Sequence, residues 1–225
     1  MSNVKTSRSA KRTRTHRTRL AGALPPSNNG TREEILAGAR EVLLRHGYER
    51  FTIRRVADAA GITVGNLTYH FPSKRQLLIS LIQRLLAEYT SAFEGFFADL
   101  SIPMDRKFKE LIEWLMNDAA TIESNRLFRE LWAMAMHDRF VARAIDDFYD
   151  QAIGRIAQLL RVERPTMSQD AADSIAHLVA LISEGTGIIY GTRPARVASH
   201  ADVKALAVDV LTGAARSATR GGASR

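Results

Sequence analysis

Five residues between positions 63 and 68 have side chains that suit contact with nucleic acid bases: Thr63, Val64, Gly65, Asn66 and Thr68. The amide of Asn66 can accept and donate a hydrogen bond at once, which matches adenine N7 and N6 and discriminates between bases by about 1–3 kcal/mol. Gly65 would let the backbone approach closely, and Val64 or Thr68 could contact a thymine methyl group. The alternative is that one or more of these side chains contacts only solvent.

The surrounding residues predict two short helices joined by a tight turn. Thr52 is a suitable N-cap, and the apolar residues after it recur at helical spacing. Gly61 tolerates the left-handed backbone conformation that ends a helix, and Thr63 can cap the next one. In a helix-turn-helix, the second helix lies in the major groove with its N-terminal residues towards base edges. We therefore expect Leu67 and Phe71 to face the core. Thr63, Val64, Gly65, Asn66 and Thr68 are expected to face outwards.

The stretch from Phe51 to Leu78, FTIRRVADAAGITVGNLTYHFPSKRQLL, resembles the DNA-binding domain of the tetracycline-repressor (TetR) family. The resemblance covers residues 31–80, and its most specific part is AGIT followed at fixed spacing by YHF and SK. It implies a dimeric transcriptional regulator, usually a repressor, whose variable C-terminal domain binds a small molecule. The family often has an aromatic residue at the place of Thr68. The resemblance also implies phosphate contacts, which fix register without reading sequence, from Thr52, Tyr69, His70 and Lys74.

For Lys74 and His70, the sequence gives further reasons for or against a phosphate contact. A cation at Lys74, in the first turn of a helix, opposes the helix dipole and is expected to gain nothing locally. A bound phosphate would reverse that penalty. For His70 the alternative to a phosphate contact is an imidazole packed against Phe71.

The formal net charge of +8 is concentrated at the N-terminal end of the 225 residues. Residues 1–30 carry +7 without an acidic residue, residues 31–75 carry +3, and the remainder carries −2. This distribution indicates a polyanionic partner for the front of the chain. Because residues 1–30 contain few large apolar groups, we expect a disordered basic arm there that adds phosphate contacts or enters a minor groove. A solvated tail or a misassigned start is the alternative.

Several classes of function find no support in the sequence. The absence of cysteine excludes disulfides, thiol catalysis and cysteine-ligated zinc. There is no metal-spaced histidine pair and no nucleophile elbow, and Gly185-Thr186-Gly187 lacks the spacing of a phosphate loop. We therefore expect no enzymatic activity, no cofactor and no metal. No apolar run is expected to span a membrane and no hydrophobic signal core is present, so the expected location is cytoplasmic.

Apolar residues beyond position 81 keep helical spacing, and no segment alternates as a strand would. The sequence predicts an all-α fold of about nine helices. The first would begin with a capping box at Thr31, and a long helix from Ser73 towards Phe97 would join the two domains. The last two would span residues 169–190 and 201–217.

The predicted domains follow from these elements. After the arm come a helix-turn-helix domain over residues 31–80, a helical ligand-binding and dimerisation domain over 81–217, and a disordered tail over 218–225. The ligand residues are predicted from aromatic and methionine content and from one stripe of the penultimate helix. They are Trp114, Trp132, Met136, His177 and Glu184. A surface or interface location is the alternative for His177 and Glu184, since charged groups are rarely fully buried.

A neighbouring stripe of the same helix consists of small residues that would let a helix of a second subunit approach closely. The predicted dimer interface is therefore Ala172, Ala176, Val179 and Ser183. Together these features predict a homodimeric, ligand-responsive regulator that binds a pseudo-palindromic operator, with the effector tilting the helix that begins at Ser73. The alternative is an architectural DNA-binding protein without a ligand, in which the basic arm dominates.

Overall fold

The computed structural model describes residues 28–191 and 197–220, which form nine α-helices and no strand. This confirms the all-α prediction for the described part of the chain. The helices are α1 (Asn28–His46), α2 (Ile53–Ala59), α3 (Val64–His70), α4 (Lys74–Ala98), α5 (Met104–Ala119), α6 (Ile122–Ala135), α7 (Arg139–Glu163), α8 (Gln169–Tyr190) and α9 (His200–Arg220).

Side-chain caps and two glycines fix the ends of the first helices. The hydroxyls of Thr52, Thr63 and Ser73 accept hydrogen bonds of 3.3, 3.1 and 3.2 Å from backbone N–H groups three residues later. Such a cap contributes about 0.5–2 kcal/mol to stability. Gly47 and Gly61 adopt φ of 72° and 68°, the left-handed conformation that closes α1 and α2. The predicted helix-turn-helix is therefore confirmed at the level of local structure.

Both ends of the described helical region extend beyond the predicted boundaries. Helix α1 begins at Asn28, three residues before the predicted capping box. Thr31 lies inside the helix with its side chain buried, so the prediction that it starts the helix is wrong. Helix α9 continues to Arg220, into the predicted tail. Residues 1–27 of the predicted arm and 221–225 of the predicted tail lie outside the described residues.

The first hydrophobic core does not follow the predicted boundary at residue 80, which falls inside the continuous helix α4. Besides side chains of α1 to α4, this core contains residues of α6 and α7. These are Leu127, Leu131, Met134, Val141 and Ile145. The DNA-binding region is thus packed directly onto the rear of the molecule.

The small-residue stripe of α8 lies in the second core, which is formed by helices of the same chain. Ala172 and Ala176 are completely buried, and Val179 and Ser183 are nearly so. Helix α8 packs on α5, α7 and α9, and its small side chains permit that close approach. The predicted dimer interface at these four residues is therefore wrong, because neighbours in the same protomer already cover the stripe.

Among the described residues, α8 alone is long and apolar enough to cross a membrane by length and composition. The expectation that no segment reaches this length therefore does not hold for α8. Its buried stripe in the second core accounts for part of the apolar composition.

We predict that Gly38→Ala destabilises the fold whereas Gly95→Ala stabilises it slightly. A Cβ atom on Gly38 would lie 2.9 Å from the backbone nitrogen of Ala60, so α1 and α2 would have to separate. A Cβ atom on Gly95 meets nothing within 4 Å, and alanine is favoured over glycine in a helix by about 0.5–1 kcal/mol. Thermal unfolding of the two variants measures both effects. A higher melting temperature for Gly38→Ala would contradict the tight crossing of α1 and α2.

Candidate functional site

The first turns of α3 present the predicted base-reading residues to solvent. Thr63, Val64, Gly65, Asn66 and Thr68 are all exposed, whereas Leu67 and Phe71 are buried in the first core. The division into an outward and an inward face is therefore as predicted. It arises because Leu67 and Phe71 are four residues apart and share one face.

Hydrogen bonding separates the possible roles of Asn66 and Thr68. The backbone N–H of Asn66 donates to the Thr63 hydroxyl, while its side-chain amide has no partner among the described residues. The Thr68 hydroxyl donates to the backbone oxygen of Val64 at 3.0 Å. Asn66 thus has a free donor and acceptor, and Thr68 presents its methyl group more readily than its hydroxyl.

Tyr69 and His70 form a ring pair at the end of α3, in which Tyr69 is exposed and His70 is half-buried. Tyr69 is 77% exposed, and its ring meets that of His70 edge-on with centroids 5.3 Å apart. The Arg32 guanidinium lies over the Phe71 ring, 4.3 Å from its centroid. The recorded ring partner of His70 is therefore Tyr69, and the alternative that places His70 against Phe71 gains no support.

Lys74 has a local partner that its position at the start of α4 did not reveal. Its ammonium nitrogen lies 4.4 Å from the centroid of the Tyr48 ring. A cation over an aromatic face is attracted by the ring quadrupole, which offsets the unfavourable helix dipole. The expectation that the Lys74 cation gains nothing locally is therefore wrong. Lys74 is half-buried in the first turn of α4, close in sequence to the exposed residues of α3.

Two basic residues of α2 were not among the predicted site residues. Arg54 and Arg55 follow the cap residue Thr52, are exposed, and form no ion pair within the described residues. Helix α2 is the helix that crosses the DNA backbone in this motif. Two adjacent arginines near the N-cap of this helix could have been recognised in the sequence as candidate phosphate contacts.

Five helices of the rear half enclose a cavity with mainly aromatic walls. Helices α4 to α8 all contribute to it. Its rings are Tyr89, Phe93, Trp114, Phe128, Trp132, Phe148 and Tyr149. The space open to the centres of water-sized molecules is about 90 Å³, and one water needs about 10–15 Å³ by this measure. The rear domain is therefore not packed solid, and it can admit several waters or a small organic group.

The cavity contains three of the five predicted ligand residues. Trp114, Trp132 and Glu184 line it. Met136 does not, since it is 80% exposed at the end of α6. His177 is exposed as well, and its Nδ1 lies 2.7 Å from the backbone oxygen of Asp173. Both predictions are wrong, because the cavity touches only residues 180–187 of α8 and both side chains lie outside it.

The sequence analysis missed a polar chain on the cavity wall. The Ser124 hydroxyl donates to the Asp118 carboxylate at 2.9 Å, and the Tyr89 hydroxyl lies 2.6 Å from the Ser124 oxygen. Since Ser124 gives its proton to Asp118, Tyr89 donates to Ser124. Asn125 extends the wall by donating to the backbone oxygen of Gly187. No sequence pattern marked Asp118 as a residue of the cavity wall.

Glu184 and Tyr149 are neighbours on the cavity wall. Burial raises the pKa of Glu184 to about 7, and the Asp118 carboxylate adds to the rise. Burial likewise raises the pKa of Tyr149, and the nearby Glu184 carboxylate adds to it. Although Glu184 and Trp132 are its polar neighbours, the Tyr149 hydroxyl makes no hydrogen bond of acceptable geometry. Among the described residues, no group of three or more His, Asp or Glu side chains could hold a metal ion.

Helix α6 connects the cavity to the DNA-binding region. Its residues Ser124, Phe128 and Trp132 line the cavity, and Leu127 and Leu131 lie in the first core.

The same helix holds the turn before α2. The Glu130 carboxylate accepts a 2.8 Å hydrogen bond from the backbone N–H of Tyr48. Arg40 of α1 also pairs with Glu88 of α4 and Glu123 of α6. A movement of α6 would therefore reach the helix-turn-helix directly.

Comparison with known proteins agrees with this arrangement. The family model for bacterial regulatory proteins of the tetR family matches residues 35–81. The transcriptional repressor AcnR of Corynebacterium glutamicum is 43% identical over 62 residues, which cover 28% of this chain and 32% of that protein. The regulator EthR of Mycolicibacterium smegmatis is 27% identical over 146 residues, 60% of this chain and 66% of that protein. The chain thus matches about a third of the length of the first relative.

Solved structures extend the likeness of fold over most of the chain. A transcriptional regulator from Saccharomonospora viridis, solved in complex with choline, superposes with a TM-score of 0.68 at 22% identity, covering 82% of this chain and 96% of that one. A TetR transcription regulator from Haloarcula marismortui gives a TM-score of 0.65 at 16% identity, covering 84% and 98%. Residues 35–81 therefore match the tetR family of bacterial regulatory proteins, and the nine described helices share the fold of these solved regulators.

Proposed function

We propose that this protein is a sequence-specific DNA-binding transcriptional regulator, a repressor that releases its operator when a small molecule occupies the rear cavity. The free amide of Asn66 on the exposed first turns of α3 is the observation that carries the proposal. An architectural DNA-binding protein would need neither that amide nor an aromatic cavity, and no observation favours it. A regulator of this kind acts in the cytoplasm.

Phosphate contacts would surround the base-reading turns. Arg54 and Arg55 of α2 supply two exposed cations without ion-pair partners, and Tyr69 supplies an exposed hydroxyl. Lys74, held against Tyr48, supplies a third cation. These groups would set the register of α3 in the major groove, and Thr52 would contribute from the start of α2.

A homodimer would place two such surfaces on a pseudo-palindromic operator, about 34–36 Å apart. The exposed apolar residues of the last two helices provide the interface that the buried stripe of α8 cannot. They are Leu178, Leu181 and Ile188 of α8 and Leu206 and Val210 of α9. Leu181 and Leu206 are 68% and 64% exposed, which is a large apolar surface for a lone protomer to present to water.

A movement of helix α6 would cause the release of DNA. An occupant that pushes on Phe128 or Trp132 would shift α6, and with it Glu130 and the turn at Tyr48. The choline bound by the Saccharomonospora viridis protein supports a small-molecule effector for this fold. The effector must bind one position of α6 more tightly than the other, since only differential affinity shifts an equilibrium.

We predict that Asn66→Ala relaxes base preference at one position of each half-site, whereas Lys74→Ala weakens binding to all sequences about equally. Losing an amide contact removes about 1–3 kcal/mol of discrimination, and losing a phosphate contact lowers the salt slope by about one unit. Selection of binding sites from random DNA, followed by titrations over a range of salt concentrations, measures both. Loss of affinity by Asn66→Ala that is equal on selected and scrambled DNA would remove its role in reading bases. Wild-type binding without any sequence preference would contradict the proposed function.

We predict that Leu206→Arg, alone or with Leu181→Arg, gives folded monomers with reduced operator affinity. A charge at the centre of an apolar interface loses its hydration without gaining a partner. Leu100→Arg is the control, because Leu100 is an exposed leucine in the loop after α4. Sedimentation velocity and circular dichroism report assembly and helix content. A Leu206→Arg protein that still sediments as a dimer would place the interface elsewhere.

A further inference from the structure

The cavity is acidic as well as aromatic. Two of its lining residues, Asp118 and Glu184, are carboxylic acids, and none of the described residues that line it is Lys, Arg or His. The carboxylates come from different helices, α5 and α8, so the fold brings them together without a sequence motif. An acidic cavity without a basic partner differs from a salt bridge that serves only stability.

The rings form a continuous wall around these carboxylates. Phe128 contacts Tyr89, Trp132 and Phe148, with ring centroids 5.1, 6.2 and 5.9 Å apart. The ring of Tyr149 follows at 5.5 Å from that of Phe148. Aromatic faces carry partial negative charge and attract cations, most strongly where water is excluded.

We propose that the effector of this cavity is an organic cation, an amine or quaternary ammonium group on an apolar body, bound between the aromatic wall and the carboxylates of Glu184 and Asp118. This inference rests on the proposed function, since it names the chemical class of the effector. An anionic ligand would meet two carboxylates and no basic side chain in the lining. A neutral ligand would gain no attraction from these carboxylates, and it would favour their protonated, uncharged forms.

The two carboxylates would act differently. Asp118 already accepts a hydrogen bond from Ser124, which fixes its position. The Tyr149 hydroxyl is the polar neighbour of Glu184, and it makes no hydrogen bond of acceptable geometry there. When a cation draws Glu184 into its ionised form, that hydroxyl can turn and donate to the carboxylate. Glu184 would therefore supply the charge that responds to the ligand, with Tyr149 as its positioning residue.

Binding should depend on pH, because the pKa of Glu184 is raised to about 7. A cation favours the ionised acid, so it should bind more tightly as pH rises, by about tenfold from pH 6 to pH 8 for one group with this pKa. The other titratable groups on the wall are Asp118 from α5, Tyr89 from α4 and Tyr149 from α7, and burial raises the pKa of each. The charges of Glu123 and Arg40 act on Tyr89 from outside the wall.

Calorimetry on the full chain tests the proposal with matched probes. Benzyltrimethylammonium and the smaller tetramethylammonium are the cations, neopentylbenzene is the neutral isostere, and 3-phenylpropionate is the anion. We expect at least one cation to bind at pH 8, more tightly than the other two probes, and to release protons near pH 7. The same titration at pH 6 should give the weaker affinity derived above.

Three variants separate charge from shape. Glu184→Gln and Asp118→Asn keep the outline of the cavity but remove one charge each, and Glu110→Gln removes an exposed charge of α5 as the control. We expect Glu184→Gln to bind the cation about tenfold more weakly and to lose the dependence on pH, with Glu110→Gln unchanged. Asp118→Asn should weaken binding while keeping the dependence on pH. Thermal unfolding shows that each variant is folded.

The inference is overturned if no cation binds at pH 8, if the neutral isostere binds as tightly as its cation, or if Glu184→Gln retains full affinity. In each of these cases, the proposed function as a DNA-binding regulator would still be supported if the protein preferred a selected palindromic site to scrambled DNA. Loss of that preference in the wild-type protein is the separate result that contradicts the proposed function.

Discussion

Helix α6 packs in the first core and lines the cavity at the same time, and the rest of the structure depends on how it does so. One of its faces packs Leu127 and Leu131 among residues of α1 to α4, and another presents Phe128 and Trp132 to the cavity. Because a packed interior resists continuous deformation, a change on one face must be accommodated by the other. The hydrogen bond from Tyr48 to Glu130 carries that change to the turn before α2. The cavity and the recognition helix are therefore parts of one packed unit.

Charge is distributed between these parts in opposite ways. The helix-turn-helix end presents exposed cations, among them Arg54 and Arg55, which are hydrated in the free protein and would contact phosphates in the proposed complex. The cavity holds Asp118 and Glu184 against aromatic rings, where burial raises the pKa of both. Exposed charges give long-range, salt-dependent attraction, whereas buried charges discriminate strongly between ligands. In the proposed function, the exposed cations would attract a polyanion, and the cavity would respond selectively to a small molecule.

The helix-turn-helix could be predicted from the sequence because its turns and caps depend on local residues. The arrangement of the C-terminal helices depends on packing between distant residues, so less of it could be predicted. The turn at Gly61 follows from the backbone freedom of one residue, so its place could be read directly. The small stripe at Ala176 predicts a close neighbour but does not say whether that neighbour belongs to the same chain. Glu184 and His177 share a helical stripe, yet the cavity reaches only one of them. Asp118 is partly buried by contacts with other helices, and no pattern around it in the sequence indicates those contacts.

Amide hydrogen exchange on the full-length protein, free and bound to its selected operator, tests the coupling through α6 most directly. Binding free energies are reciprocal, so a cavity that controls DNA affinity must itself respond when DNA binds. The coupling predicts that exchange changes in α6, residues 122–135, and around Tyr48 as well as in α2 and α3, and that scrambled DNA produces a smaller change in α6. Changes confined to α2, α3 and the start of α4, with α6 unaffected by the operator, would contradict it.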